Sequence, residues 1–264
     1  DETNSSYFQP MGSACSHRYL GGSRQNDRPQ LGKVVPKHIA IIMDGNRRYG
    51  LERLGNKLAG HFEGSQTLSR VVEWCIEEGV EILTVYAFST ENWKRSSEEV
   101  SELMSIFERY CEQIRSDAKA KNVRLRVLAS DPEKLPLSIH ESVKALERDT
   151  ATNTGFCLNL CVSYGSRSEI VGAVRRLAED VAQGNLSSED ITEDLISQTL
   201  LTGNMPDPDL LIRTSGECRL SNFLLWQLAY TEMVFVNKYW PEFEKNDLLD
   251  ACQVYSNRQR RFGS

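Results

Sequence analysis

A chain of 264 residues with 31 basic against 37 acidic side chains has a formal charge of −6, so no broad cationic surface for nucleic acid is expected, and an anionic ligand would need a local cluster of cations. Its seven cysteines are odd in number, irregularly spaced and without a C-x-x-C pair, which argues against a disulfide framework or a zinc site and for reduced, intracellular thiols. The longest apolar runs are about five residues, too short for a membrane-spanning helix, while peripheral membrane contact is left open.

Residues 1–33 are polar, rich in Ser, Gly and Asn and without periodicity, and read as a disordered leader before one domain over 34–264. Ile39–Met43 is a short unbroken apolar run, the pattern of a strand buried on both faces of a parallel sheet. At its carboxyl end Asp44 places a carboxylate, Gly45 permits a tight turn, and Asn46 is suited to cap a helix whose first turn carries Arg47 and Arg48. In open α/β sheets ligands bind beyond the carboxyl ends of strands, where a helix N-terminus offers unpaired N–H groups to an anion. An acidic residue beside such a site suggests a metal-bridged phosphate. Between Lys37 and Arg70 the six basic residues Lys37, Arg47, Arg48, Arg53, Lys57 and Arg70 outnumber the three acids Asp44, Glu52 and Glu63, which supplies the local cluster.

Gly60-His61-Phe62-Glu63-Gly64 opens a helix in which Leu68, Val71, Val72, Cys75 and Ile76 recur at helical spacing until Gly79. Val80–Ala87 reads as the second strand, with Phe88, Ser89, Trp93 and Arg95 in the polar turn beyond it. Ser97 with Glu98 and Glu99 starts a long helix whose apolar stripe carries Val100, Leu103, Met104, Ile106, Phe107 and Ile114. Strands are expected at Val123–Leu128, Phe156–Val162, Asp209–Arg213 and Met233–Val236. Helices are expected at Leu137–Thr150, Ser168–Ala182, Asp190–Leu201, Arg219–Ala229 and Asn246–Arg261. The alternation predicts a single α/β domain with a mostly parallel central sheet of about six strands covered by helices. Arg213 and Arg219 flank a glycine turn with Ser221 two residues on, two guanidinium forks and a hydroxyl suited to a diphosphate.

The run from Lys37 to Gly263 resembles the cis-prenyltransferases, the undecaprenyl and dehydrodolichyl diphosphate synthases. The matching segments are H-I-A-I-I-M-D-G-N-R-R from His38, G-H-F-E-G from Gly60, Y-A-F-S-T-E-N-W-K-R from Tyr86, the stretch from Leu211 to Glu232, and R-R-F-G from Arg260. The resemblance implies condensation of isopentenyl diphosphate in cis onto an allylic diphosphate such as farnesyl or geranyl diphosphate, with Mg²⁺, by a homodimer yielding a medium-chain polyprenyl diphosphate. On that reading Asp44 and Glu232 contact the metal, and Asp44, Asn46, His61 and Ser89 are the catalytic candidates. Gly45, Arg47, Arg48 and Lys57 would hold the allylic diphosphate, Phe88 and Trp93 would border the allylic chain, Arg95 would be a further substrate-binding residue, and Arg213, Arg219 and Ser221 would grip isopentenyl diphosphate.

The chain departs from the family pattern at four places. Lys57 stands where arginine is usual, Cys218 where His or Gln is common, Ser163 and Ser166 around Tyr164-Gly165 where Asn and Gly are usual, and Tyr49 where Trp is common. The helix between Arg95 and Asn122 would wall a lipid tunnel, with Phe156 at its floor. The expected location is intracellular, in the cytoplasm or at the face of the endoplasmic reticulum, with a plastid as the other address. Two further readings are a non-catalytic accessory subunit of a heteromeric enzyme and a phosphate-binding hydrolase; the intact Asp44-Gly45-Asn46 weighs against the first.

Overall fold

The computed structural model describes residues 34–258, so the leader and the Arg260–Gly263 tail lie outside the described residues. Among these residues six strands, β1 (His38–Ile42), β2 (Ile82–Ser89), β3 (Arg124–Leu128), β4 (Cys157–Tyr164), β5 (Leu210–Arg213) and β6 (Glu232–Phe235), form one sheet in the order β3-β4-β2-β1-β5-β6. Every neighbouring pair is parallel. β1 is buried along its whole length, and its alternation divides the core. Ile39 and Ile41 join the larger apolar cluster on one face, and Ala40 and Ile42 join a smaller one with Tyr86, Leu211 and Phe223 on the other.

Among the described residues seven helices cover the sheet: α1 (Asn46–Leu54), α2 (Lys57–Glu77), α3 (Ser97–Ala118), α4 (Leu137–Thr150), α5 (Ser166–Ala182), α6 (Glu193–Thr199) and α7 (Lys245–Asn257). No helix among the described residues is long and apolar enough to cross a membrane. The six expected strands are all present, and α4 has the expected bounds.

Three expectations are not met. Asn46 is the first residue of α1 and not its cap. Gly45 takes the cap position at φ 100°, and the Asn46 side chain donates back to the Met43 carbonyl at 3.3 Å. α2 begins before Gly60 because Asn56 caps it, accepting from the Leu58 N–H at 2.9 Å. Residues 219–229 make a series of turns rather than a helix, since Ser221, Asn222 and Leu224 have φ of 50°, 64° and 44°, a conformation no right-handed helix contains.

The carboxyl ends of β1, β2 and β5 point the same way, and the segments leaving them meet there. Helix α2 can lie against α1 only because the facing residues have no side chain. A Cβ on Gly60 would sit 2.0 Å from the Asn46 carbonyl oxygen, and one on Gly64 would sit 2.2 Å from Asn46 Oδ1. The G-H-F-E-G run is thus a packing device as well as a motif: the two glycines, four apart on one face, frame His61 and seat it beside Asn46.

Candidate active site

Two charged centres and one apolar cavity converge at the carboxyl end of the sheet. The first centre is built on Asp44, whose backbone is pinned from two sides. Its N–H donates to Thr214 Oγ1 at 2.9 Å, and its carbonyl accepts from Thr214 Oγ1 at 2.7 Å and from the Trp240 N–H at 3.0 Å. Its carboxylate accepts from Arg213 Nη2 at 2.8 Å and lies 3.5 Å from Arg48 Nη2. Arg213 is buried and also donates to Ser221 Oγ at 2.9 Å and to the Arg219 carbonyl. Glu217 pairs with Arg219 and, at 3.6 Å, with Arg48, while the Arg48 guanidinium stands 5.7 Å above the Tyr239 ring. The left-handed residues at Ser221 and Asn222 fold this turn back over Arg213. Tyr86 holds it on the sheet by donating to the Ser221 carbonyl at 3.3 Å and stacking on Phe223 at 4.6 Å.

The second centre is organised by a residue whose role the sequence does not announce. Glu99 is 2 % exposed and gathers three cations: Lys57 Nζ and Arg95 Nη1 at 2.9 Å each and Arg47 Nη1 at 4.0 Å. Burial alone would raise the Glu99 carboxyl, but the hydrogen bond from Lys57 and the charges of Arg95 and Arg47 hold it below the usual carboxylate range.

Between the centres opens a cavity of about 80 Å³. Asn46 and His61 stand on its wall with Phe88, and Leu103, Phe107 and Tyr110 of α3 line it too. His61 Nε2 and Asn46 Oδ1 are buried and have no hydrogen-bond partner among the described residues, although buried polar atoms are ordinarily satisfied. Burial, reinforced by Arg95 and opposed by Glu99, lowers His61 to about 4, so its imidazole is neutral near pH 7 and its Nε2 is free to accept or pass a proton. Cations beside a greasy slot suit one kind of ligand, a polyanionic head on a hydrocarbon tail.

The family model described as "Putative undecaprenyl diphosphate synthase" matches residues 42–263. The chain belongs to the cis-prenyltransferases. It is 48 % identical over 231 residues, 87 % of this chain and 88 % of the relative, to the tritrans,polycis-undecaprenyl-diphosphate synthase (geranylgeranyl-diphosphate specific) of Pyrococcus furiosus. It is also 48 % identical over 233 residues, 88 % of this chain and 90 % of the relative, to the isoprenyl transferase of Geobacillus kaustophilus. The crystal structure of lavandulyl diphosphate synthase from Lavandula x intermedia in complex with dimethylallyl diphosphate superimposes with a TM-score of 0.84 at 36 % identity, covering 87 % of this chain and 99 % of that one.

Within this cis-prenyltransferase the expected residues fall into groups. Asp44, Arg48, Arg213, Arg219 and Ser221 form the first centre, with Gly45 between β1 and α1. Arg47, Lys57 and Arg95 form the second around Glu99. Asn46, His61 and Phe88 line the cavity. Trp93 stands edge-on to Phe88 at 4.8 Å, and Ser89 forms a capping box with Asn92 over the short 3-10 turn Thr90–Lys94.

Two expected residues lie apart from these groups. Glu232 opens β6 opposite Leu210, three residues back from the Arg213 end, roughly 10 Å away at strand rise, and its carboxylate pairs with Arg258; within one chain it does not join Asp44. Phe156 is buried core just before β4, while β4 reaches the cavity through Leu160, four residues further on. Helix α3 contributes Leu103, Met104, Ile106, Phe107 and Tyr110 to the cavity wall. Among the described residues no three His, Cys, Asp or Glu side chains gather into a metal cage. Asp44, partly exposed and paired with Arg213 and Arg48, could contribute one oxygen to an ion such as Mg²⁺, which keeps several waters and is held by one or two carboxylates, only together with substrate phosphates that offset those cations.

Proposed function

We propose that this cis-prenyltransferase condenses isopentenyl diphosphate onto an allylic primer, farnesyl or geranyl diphosphate, to give a medium-chain polyprenyl diphosphate. The observation that supports this most is the junction of two cationic centres with an apolar cavity whose wall carries a neutral histidine. Arg47, Lys57 and Arg95, preset by Glu99, would grip the diphosphate of the allylic primer while its tail enters between Phe88 and α3. Arg213, Arg219 and Ser221 would hold isopentenyl diphosphate. Asp44 would hold Mg²⁺ against the diphosphates, and the ion when bound would supply charge neutralisation to the departing group. As the carbon–carbon bond forms, a proton must leave; Asn46 and His61 on the cavity wall, with Ser89 in the turn beyond β2, would orient the reacting end and take it up.

The Asp44 carboxylate is engaged by Arg213, so isopentenyl diphosphate, by drawing Arg213 to its phosphates, would release it for the ion. Homodimerisation, peripheral membrane contact and a cytoplasmic, endoplasmic-reticulum-face or plastid address belong to the same reading. A chain carrying both the aspartate turn and the Arg261-Phe262-Gly263 tail has reason to work without a partner, which weighs against the accessory-subunit alternative. The test is prenyl transfer by the purified chain with radiolabelled isopentenyl diphosphate and geranyl or farnesyl primers. A polyprenyl ladder is expected, and absence of transfer with every primer in saturating Mg²⁺ rejects the reading.

A further inference from the structure

Ser163 is buried and is not among the residues lining the cavity, yet it is tied to the active-site turn by its hydroxyl. In the pairing of β2 with β4, Phe88 faces Val162 and Ser89 faces Tyr164, so Ser163 is the extra residue of a β-bulge. Its φ of 48° lies in the left-handed region, which a serine keeps only where its surroundings hold it. The twist aims the side chain. Ser163 Oγ accepts the Trp93 Nε1–H at 2.9 Å and donates to the Asp131 carbonyl at 2.8 Å, and the Ser163 carbonyl accepts the Asp131 N–H at 3.1 Å. Trp93 in turn lies edge-on to Phe88, with ring centres 4.8 Å apart and planes at 67°, and Phe88 faces the cavity. The Arg95 that ends this turn is on Glu99.

We infer that Ser163 is a positioning residue for the allylic subsite. Its hydroxyl clamps Trp93, and through Trp93 it holds the Thr90–Lys94 turn and the Phe88 wall in place before the primer arrives. That the primer is the affected ligand rests on the function proposed above; the clamp itself does not.

The decisive variant is Ser163→Gly. Glycine accepts the left-handed bulge without strain, so the chain folds, and only the hydroxyl is lost. The KM for the allylic primer is expected to rise about fivefold, the equivalent of one ordinary neutral hydrogen bond, with kcat and the KM for isopentenyl diphosphate within about twofold. In the absence of substrate, Trp93 fluorescence, obtained by subtracting Trp93→Phe controls, should shift to the red and become more open to acrylamide quenching. In the Trp93→Phe background Ser163→Gly should change nothing further. Unchanged Trp93 quenching in Ser163→Gly overturns the clamp. So does a variant in which both KM values rise and kcat falls together with the melting temperature, the mark of a merely structural bulge. If the wild-type chain transfers no prenyl group at all, the functional reading fails while the quenching result still decides the clamp.

Discussion

Two histidines with buried ring nitrogens, one in β1 and one in α2, mark opposite ends of the same sheet, and the fold treats them in opposite ways. His38, at the amino end of β1, is fully partnered. Nδ1 donates to the Pro206 carbonyl and Nε2 accepts from Thr84 Oγ1, both at 2.7 Å, and Thr84 Oγ1 accepts from Asn159 Nδ2 at 2.9 Å. His61, at the carboxyl end, leaves Nε2 unpartnered among the described residues. Burial lowers both to about 4. The same electrostatic perturbation therefore serves structure at one end, where every polar atom has a partner, and chemistry at the other, where an unmet acceptor faces a cavity. An unsatisfied buried acceptor is costly, and it persists where the site uses it.

If this division is right, substitutions at the carboxyl end should remove activity and spare stability. The largest effect is expected from Asp44→Asn. Turnover should fall by about 10²–10³, the cost of one lost electrostatic contact at a centre of developing charge. The melting temperature should move by no more than about 3 °C, ~1 kcal/mol for a chain of this size. Near-normal turnover in saturating Mg²⁺ would remove Asp44 from the mechanism.

The two histidines can then be compared directly. His61→Gln should lower turnover by roughly 10² with the melting temperature kept or raised, since no hydrogen bond is lost at Nε2. His38→Gln should leave turnover alone and destabilise by about 2 kcal/mol, because it strands the Pro206 carbonyl and the Thr84 hydroxyl. Steady-state kinetics and melts of both variants decide the matter; a swap of the two phenotypes would erase the distinction between the ends.

The pair also sets a pH dependence. Below about 6.5 the unfolded chain binds protons that neither imidazole takes up in the folded protein until about 4. The unfolded state then holds more protons, so stability is full above about 6.5 and declines as pH falls towards 4. For fully buried His38 the loss should be roughly 1–2 kcal/mol at pH 5. Urea midpoints at pH 7 and pH 5 measure it, and His38→Gln should flatten the slope. An equal slope in that variant would assign the effect to other groups.

Much of this was readable in the chain because the signals are local. A strand buried on both faces must be apolar throughout, as Ile39–Met43 is, and the polar residues after it had to be turn or site. The misses share a non-local cause. Glu99 looks like an ordinary acid in the first turn of α3, three residues after the Ser96 cap. Only the fold reveals that Lys57, forty-two positions away, draws it inward. The run from Arg219 to Ala229 is apolar enough for a helix, yet Tyr86 and Arg213, reached through the sheet, hold its first residues in left-handed turns. Asp44 reads as a metal contact from sequence, and its 2.8 Å bond to Arg213 joins segments 169 residues apart.

The smallest effect concerns Lys57, where the family usually has arginine. Lys57 gives Glu99 Oε2 a single 2.9 Å contact, and Arg47 stands 4.0 Å from the same oxygen. A guanidinium in place of this ammonium could keep that contact with one N–H and offer the rest of its fork to the allylic diphosphate. Lys57→Arg should then lower the KM for the allylic primer by about threefold with kcat unchanged, the pattern of a contact equal in ground and transition states. The competing outcome is that the fork closes bidentately on Glu99 and pushes Arg47 away, which would leave KM unchanged or raise it. Pairing the substitution with Glu99→Gln separates the two. If the introduced guanidinium reaches the substrate independently, its gain persists when the Glu99 charge is removed. If the fork had been captured by Glu99, the gain appears only in the Glu99→Gln background, and the two substitutions are non-additive. A KM unmoved in both backgrounds would mean that the side chain of Lys57 does not touch the primer, and that the second cationic centre acts through Arg47 and Arg95 alone.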